Sequence, residues 1–427
     1  MSTKMYLPIS IVLFVLTTLS VYAGGQSEKA AASSGKVTLT MLDLNPEGGP
    51  AVDAVNKLFM EQYPNIEVQH TTMNSRQYDQ KIQALAASGD MPDIPTVQMF
   101  PQYKGMAKDG LFVNLQNLAI VKSGKFDPLA LSSMTLSDGN VYGLSWNYLA
   151  VAAYYNKAIF AKYNLSIPTD WPEFLKVCET LKSNGVTPIA SPLGDGWTSQ
   201  YPVYTAGINI IYAKDGYPAW DQSLVAGKAK FDSPGWIKTF EKVKELYDKG
   251  YFGPNPMGGK YESALSNFAN GKAAMLILGT WIIPDLYKLN PNLELSMFPV
   301  PFNSAGSPLY ALFESELGMA ISKTSKHVKQ AEEYMNFFYT KKPYEEYLRL
   351  KKGFSNIKGI SVAFDPSVKY ITDNYLVQNK TFPSMSREWP TGQDLLMFKL
   401  FQQVMLNQIA IPDALKQMDQ YFQSNRK

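Results

Sequence analysis

The sequence has a single cysteine and two histidines, and this shortage excludes several classes of chemistry. Cys178 has no second cysteine with which to form an intrachain disulfide. Together with His70 and His327 it cannot supply a Cys/His zinc cluster. A Ser-His-Asp relay would depend on one of these two histidines, and neither a Gly-x-Ser-x-Gly elbow nor a phosphate loop is present. The sequence therefore predicts no catalytic residues, no metal site and no cofactor.

The chain also lacks a strong excess of charge of either sign. Its 40 Lys and Arg residues face 37 Asp and Glu residues, which gives a net charge of +3. A nucleic-acid-binding protein needs a clustered basic face, so we expect no nucleic-acid partner. With 427 residues the chain exceeds what one hydrophobic core usually fills, and two domains are expected.

Long apolar runs are absent except at the N-terminus. Lys4 is followed by an apolar run over 7–19, and Val21, Tyr22 and Ala23 then place small residues at the positions that signal peptidase reads. This pattern predicts a cleavable signal peptide over 1–23, followed by a flexible, polar leader over 24–35. A membrane anchor is the alternative. No cysteine lies near the cleavage site for lipid attachment, so we expect a soluble periplasmic protein.

The first third of the mature chain alternates strand and helix patterns. Segments 37–42, 66–71 and 93–98 read as strands, and the segments between them have helical spacing. Such βαβ units predict a mainly parallel sheet, whose ligands bind beyond the carboxyl ends of the strands. Asn45, Glu47 and Gln98 are therefore expected at the edge of a cleft. The apolar stretch 143–157 has no helical period and is a candidate crossing strand.

Carboxylates could still support glycoside hydrolysis, which requires two acidic groups facing each other across the sugar bond. Glu314 and Glu316 are the candidates. Their spacing puts both on one face of a strand, and neighbours on one strand rarely straddle a scissile bond. We therefore interpret them as solvated or ligand-bonding carboxylates. For Cys178, on the apolar face of a helix that starts near Asp170, we expect a buried and inert thiol.

Several short motifs, taken in order, resemble those of the family 1 extracellular solute-binding proteins of carbohydrate ABC importers. They are FMEQYPNIEV (59–68), ASGDMPDI (87–94), YYNKAIF (154–160), PTDWPEF (168–174), FANGKAAM (268–275) and GTW (279–281). Each fragment alone is weak, but their order behind a signal peptide is specific. The resemblance covers nearly the whole mature chain.

This resemblance implies an α/β, two-lobe periplasmic-binding-protein fold of type II, with a cleft between the lobes. The chain would cross between lobes near 147–151, 312–317 and 360–366. Lobe 1 would comprise 36–147 plus 316–362, and lobe 2 would comprise 148–315 plus 363–427. The protein would be a monomer that closes on a sugar and delivers it to the permease subunits of an ABC importer.

The resemblance also suggests ligand-binding residues. Trp281, in the GTW motif, would stack on a sugar ring, and Trp197 and Trp389 match further aromatic contacts. Sugars present hydroxyl rims and apolar C–H faces, so aromatic platforms combined with carboxylates and amides suit them. The complete predicted set is Asn45, Glu47, Gln98, Trp146, Tyr148, Asp195, Trp197, Trp281, Glu314, Glu316 and Trp389. Leu42-Asp43-Leu44 departs from the family pattern, which often has an aromatic residue there.

Two other functions remain open from the sequence. The same fold could bind a polyamine, a peptide or an iron chelate, and several tryptophans lining the cleft would argue against these ligands. A secreted glycosidase or lectin-like module is the second alternative, which sugar turnover would reveal.

Overall fold

The structure is a computed structural model that describes residues 36–98, 101–136 and 138–426. The predicted signal peptide (1–23) and leader (24–35) lie outside the described residues. Among the described residues, no helix combines the length and the apolar character needed to cross a membrane.

The strands of the described residues are short, and they alternate with helices along the chain. They are β1 (Val37–Asp43), β2 (Ile66–Thr72), β3 (Ile94–Val97), β4 (Leu144–Ser145), β5 (Tyr148–Asn156), β6 (Thr187–Ala190), β7 (Ala273–Gly279), β8 (Leu295–Phe298), β9 (Ala311–Ser315), β10 (Gly318–Met319) and β11 (Thr381–Phe382).

The helices range from single turns to four turns. They are α1 (Gly49–Gln62), α2 (Ser75–Ser88), α3 (Pro101–Lys108), α4 (Ala119–Lys122), α5 (Pro128–Ser133), α6 (Lys157–Lys162), α7 (Trp171–Ser183), α8 (Gln200–Gly207), α9 (Ala213–Asp215), α10 (Ala219–Val225), α11 (Pro234–Asp248), α12 (Tyr261–Ala269), α13 (Ile283–Leu289), α14 (Val328–Phe338), α15 (Lys341–Lys351), α16 (Lys369–Ile371), α17 (Gln393–Met405) and α18 (Ile411–Asn425). Short 3₁₀ turns at Pro46–Gly48, Gly196–Ser199 and Thr280–Ile282 matter for the site.

The strands form two separate sheets. The first has the order β2-β1-β3-β10-β4, in which β1 pairs in parallel with β2 and β3, as the alternating pattern predicts. The second has the order β11-β9-β5-β7-β6, with β8 also paired to β5. Because helices accompany both sheets, the chain has the two-lobe α/β architecture that the sequence predicts.

The chain passes between the two sheets in segments that contain buried polar groups. Strand β4 belongs to the first sheet and β5 to the second, with Trp146 and Asn147 between them. Glu316 and Leu317 separate β9 from β10 in the same way. The two crossings are hydrogen-bonded to each other, since the Glu316 N–H donates to the Asn147 carbonyl (2.8 Å) and the Trp146 N–H donates to the Leu317 carbonyl (2.8 Å). The exact lobe boundaries remain a prediction.

Helix α7 shows how local sequence sets the fold around the second sheet. The Asp170 side chain accepts the N–H of Glu173 (3.0 Å), which confirms the predicted helix start. Cys178 lies on the inner face of this helix with 0% exposure. The predicted burial of this cysteine is confirmed, and burial raises the pKa of its thiol.

Candidate functional site

The loop that follows β1 is held by a buried carboxylate. Asp43 is fully buried at the strand end, and its Oδ1 accepts the N–H of Asn45 (2.8 Å) and the hydroxyl of Thr96 (3.0 Å). Asn45 Oδ1 in turn accepts the N–H of Gly48 (3.1 Å). Asn45 is 4% exposed, and its Nδ2 has no hydrogen-bond partner. A buried amide donor without a partner is costly, so this loop presents a group that a ligand oxygen could satisfy.

Glu47 lies on this loop and faces the second half of the molecule. Its turn, Pro46–Gly48, packs against the turn Thr280–Ile282 that contains Trp281. Burial raises the pKa of Glu47, and the nearby carboxylates of Asp285 and Glu316 raise it further, while Lys351 opposes them. Glu47 therefore lies where residues from both sheets meet.

A buried ion pair lies behind this loop. Lys351 Nζ, at the end of α15, is 2.9 Å from Glu316 Oε1, and the two side chains are 1% and 6% exposed. Lys351 also lies close to Gly48, where an added Cβ would come within 3.1 Å of its Nζ. The sequence analysis included Glu316 but missed Lys351, because no local pattern marks a lysine at the end of a helix as buried.

Aromatic rings from the second sheet and its helices form the opposite wall. Trp281 is half-buried, and its Nε1–H donates to the Tyr261 hydroxyl (3.1 Å). Tyr201 contacts Trp281 with ring centroids 5.3 Å apart, and Trp197 lies 5.5 Å from Tyr261. Burial raises the pKa of the Tyr261 hydroxyl. Among charged groups, Glu47 raises this pKa most. The structure therefore brings Trp197, Trp281 and Glu47 into one region.

Asp195 lies within this region and holds a neighbouring ring in place. Its Oδ2 accepts the N–H of Tyr261 (2.8 Å), and its Oδ1 is 3.1 Å from Lys260 Nζ. The carboxylate therefore fixes the start of α12 and the position of the Tyr261 ring. Sequence reasoning selected Asp195 as a ligand contact and did not select Tyr201 or Tyr261.

Glu314, in β9, forms a second polar group with Ser384 and Arg387. Burial raises the pKa of Glu314, whereas hydrogen bonds from Ser384 and the charge of Arg387 lower it. The Tyr148 hydroxyl donates to Asp127, and the Tyr148 ring packs on Phe313 with centroids 5.0 Å apart.

Glu314 and Glu316, two residues apart, have different partners. Glu314 faces Ser384 and Arg387, whereas Glu316 is paired with Lys351. Both carboxylates act on the buried Tyr201 hydroxyl and help to raise its pKa, so they flank the ring that contacts Trp281.

Four predicted residues, Trp146, Tyr148, Trp389 and Gln98, are not brought into this group. Tyr148 is 5% exposed, and its side chain contacts Asp127 and Phe313. Trp146 is 0% exposed and packs on Tyr347, and Trp389 is 3% exposed among Tyr204, Phe231 and Trp236.

Neither indole, of Trp146 or Trp389, has a free face on which a sugar could stack. Both rings are part of the hydrophobic core. Gln98 is half-buried just after β3, and residues 99–100 beside it are outside the described ones.

The arrangement combines flat rings, carboxylate acceptors and an unpaired amide donor. It contains no histidine or cysteine, and in the described part of the chain no group of three or more His, Cys, Asp or Glu side chains could hold a metal ion. Such a set can bind a polar solute with apolar faces, but it does not provide an activated nucleophile.

The chain is similar in sequence to known binding proteins. The "Multiple sugar-binding protein" of Streptococcus mutans is 27% identical over 397 residues, which cover 89% of each chain. The arabinooligosaccharide-binding protein of Bacillus subtilis is 24% identical over 338 residues, covering 77% of this chain and 74% of that protein.

Solved structures show the same fold. A chitin oligosaccharide binding protein superimposes with a TM-score of 0.80 at 24% identity, covering 92% of this chain and 99% of the other. The raffinose complex of the binding protein RafE gives a TM-score of 0.79 at 20% identity, covering 92% and 100%.

Residues 44–345 match the family described as "Bacterial extracellular solute-binding protein". This match agrees with the predicted role as a solute receptor and not an enzyme. Because it spans more than half of the sequence, the chain belongs to the family of bacterial extracellular solute-binding proteins.

Proposed function

We propose that this protein binds an oligosaccharide between its two lobes and delivers it to the permease of an ABC importer. The observation that carries this proposal is the half-buried pair of indoles, Trp197 and Trp281, opposite the polar loop of Asn45 and Glu47. Rings can stack on the C–H faces of a sugar, while carboxylates and amides bond to its hydroxyls. Several of the similar proteins bear the names of oligosaccharides, including raffinose and arabinooligosaccharide.

Lobe closure follows from where the binding groups lie. Trp281 follows β7 of the second sheet, whereas Asn45 and Glu47 follow β1 of the first sheet. A ligand that contacts both sides binds the closed form more tightly than the open form, so it shifts the population toward closure. Lys104 of α3 donates to the Arg387 carbonyl and lies 3.8 Å from Glu388, so these contacts link the two proposed lobes.

The proposal includes export and a monomeric state. A signal peptide over 1–23 directs the chain to the periplasm, without a lipid anchor, and the monomer diffuses to its permease. The lobes extend over 36–147 plus 316–362 and 148–315 plus 363–427. N-terminal sequencing and light scattering of the exported protein test these points; retention of residues 1–23 or a stable dimer would contradict them.

A thermal-shift panel tests the ligand class. The panel contains four sugars: raffinose, stachyose, chitotriose and arabinotriose. Spermidine, a tripeptide and ferric citrate are included as non-sugar ligands. We expect one or more sugars to stabilise the protein, by about 4 kcal/mol at a concentration 1,000 times the Kd. Stabilisation by a non-sugar arm alone would overturn the proposal, and release of reducing ends would indicate an enzyme.

A further inference from the structure

His70 lies between two carboxylates on the side of β2 that faces β1 and α1. Its Nδ1 is 2.7 Å from Asp53 Oδ1, and its Nε2 is 3.3 Å from Asp43 Oδ2. The His70 side chain is only 4% exposed, whereas Asp53 is 64% exposed. The imidazole therefore connects a solvated carboxylate on α1 with a fully buried one at the end of β1.

A carboxylate oxygen faces each ring nitrogen, an arrangement that favours a ring with protons on both nitrogens. In the neutral ring one nitrogen has a lone pair, which would point at a carboxylate oxygen. Burial by itself would lower the pKa of His70, but the hydrogen bonds and charges of Asp43 and Asp53 outweigh it and raise the pKa. The two carboxylates therefore stabilise the protonated form of the ring over the neutral one.

Asp43 and Asp53 are the charged groups that raise the pKa of His70. Asp43 also acts on the phenols of Tyr78, Tyr334 and Tyr347. Burial raises the pKa of all three, so they stay neutral while His70 titrates.

Asp43 is the link from His70 to the ligand-binding loop. The Asp43 oxygen that does not face His70 accepts the backbone N–H of Asn45 (2.8 Å) and the hydroxyl of Thr96 (3.0 Å). Asn45 then accepts the N–H of Gly48, on the far side of Glu47. The orientation of Glu47 and of the unpaired Asn45 amide therefore depends on where Asp43 is held.

We propose that charged His70 is a positioning residue, which holds the loop 43–48 in its ligand-binding conformation through Asp43. Ligand affinity then depends on the protonation of a histidine that never touches the ligand. The inference rests on the proposed function, because the loop affects affinity only if the cleft is the ligand site. Loss of the proton leaves Asp43 buried without a counter-charge, so the loop loosens as the pH rises through the pKa of His70.

Nuclear magnetic resonance tests the inference without a ligand. The chain has two histidines, so His327→Gln leaves His70 as the only imidazole signal in histidine-labelled protein. We expect its titration midpoint above the usual value of about 6.5, with the amide signals of Asn45 and Gly48 moving at the same midpoint. Asp53→Asn should lower that midpoint, because it removes one carboxylate.

Glu61→Gln is the matched control, since it removes an exposed carboxylate from the same helix, α1, away from the imidazole. It should leave the midpoint unchanged. Loop amides that do not follow the titration, or an Asp53→Asn midpoint equal to the original, would overturn the inference.

Calorimetry with raffinose as the probe tests whether His70 affects ligand affinity. We expect His70→Gln to weaken binding about tenfold at pH 7 and to flatten its pH dependence. Raffinose binding that is as tight and as pH-dependent in His70→Gln as in the original protein would contradict the positioning role. If the original protein binds neither raffinose nor any other panel sugar, the proposed function fails, while the ligand-free titration still decides the role of His70.

Discussion

Replacing Trp281 with alanine is expected to weaken sugar binding by about 100-fold, which is the loss typical of a central aromatic contact. The ring is half-buried, rests against Tyr201 and is oriented by the hydrogen bond from its Nε1 to Tyr261. A sugar face that stacks on this indole would lose both contact area and a fixed platform. Calorimetry with the sugar that gives the largest thermal shift measures the loss.

Two companion variants separate stacking from folding. Trp281→Phe keeps a flat ring but loses the Nε1 donor, so we expect a smaller loss of affinity. Gly279→Ala keeps the indole, but its Cβ would overlap the ring carbons of Trp281 and push the ring away. Unchanged affinity in Trp281→Ala, with an unchanged melting temperature of the free protein, would remove this residue from the site.

Much of the architecture could be predicted from the sequence because its signals are local. The alternating residues of β1 and β2, and the cap at Asp170, depend on neighbours within a few positions. The stretch 143–157 was expected to be one crossing strand, and the structure divides it into β4 and β5 on different sheets. The break at Trp146 and Asn147 reflects pairing with Leu317 and Glu316, which are distant in sequence.

The composition of the site was harder to predict, because burial depends on tertiary packing. Trp281 and Trp389 were both predicted as aromatic contacts, yet Trp281 is half-buried and Trp389 is packed among three aromatic rings. Tyr261 was missed because it begins a helix, and a tyrosine at a helix start is more often structural. Its role depends on Asp195, 66 positions away.

Replacing Lys351 with methionine is expected to cost about 3–5 kcal/mol of stability, which is the cost of leaving a buried charge without its partner. Methionine preserves the length of the side chain, so the change removes charge more than volume. The Glu316 side chain is 6% exposed and has this lysine at 2.9 Å as its counter-charge. Urea unfolding of the ligand-free protein measures the loss.

The double variant Glu316→Leu/Lys351→Met should recover most of this stability, because replacing both members of a buried ion pair by apolar residues is often close to neutral. Arg349→Met is the matched control on the same helix: Arg349 is 60% exposed and pairs with Glu346 at 2.6 Å, so its loss should change stability little. If Lys351→Met were no more damaging than Arg349→Met, Glu316 would be hydrated in the free protein. The two lobes would then have to move far enough apart without ligand to expose that carboxylate to water.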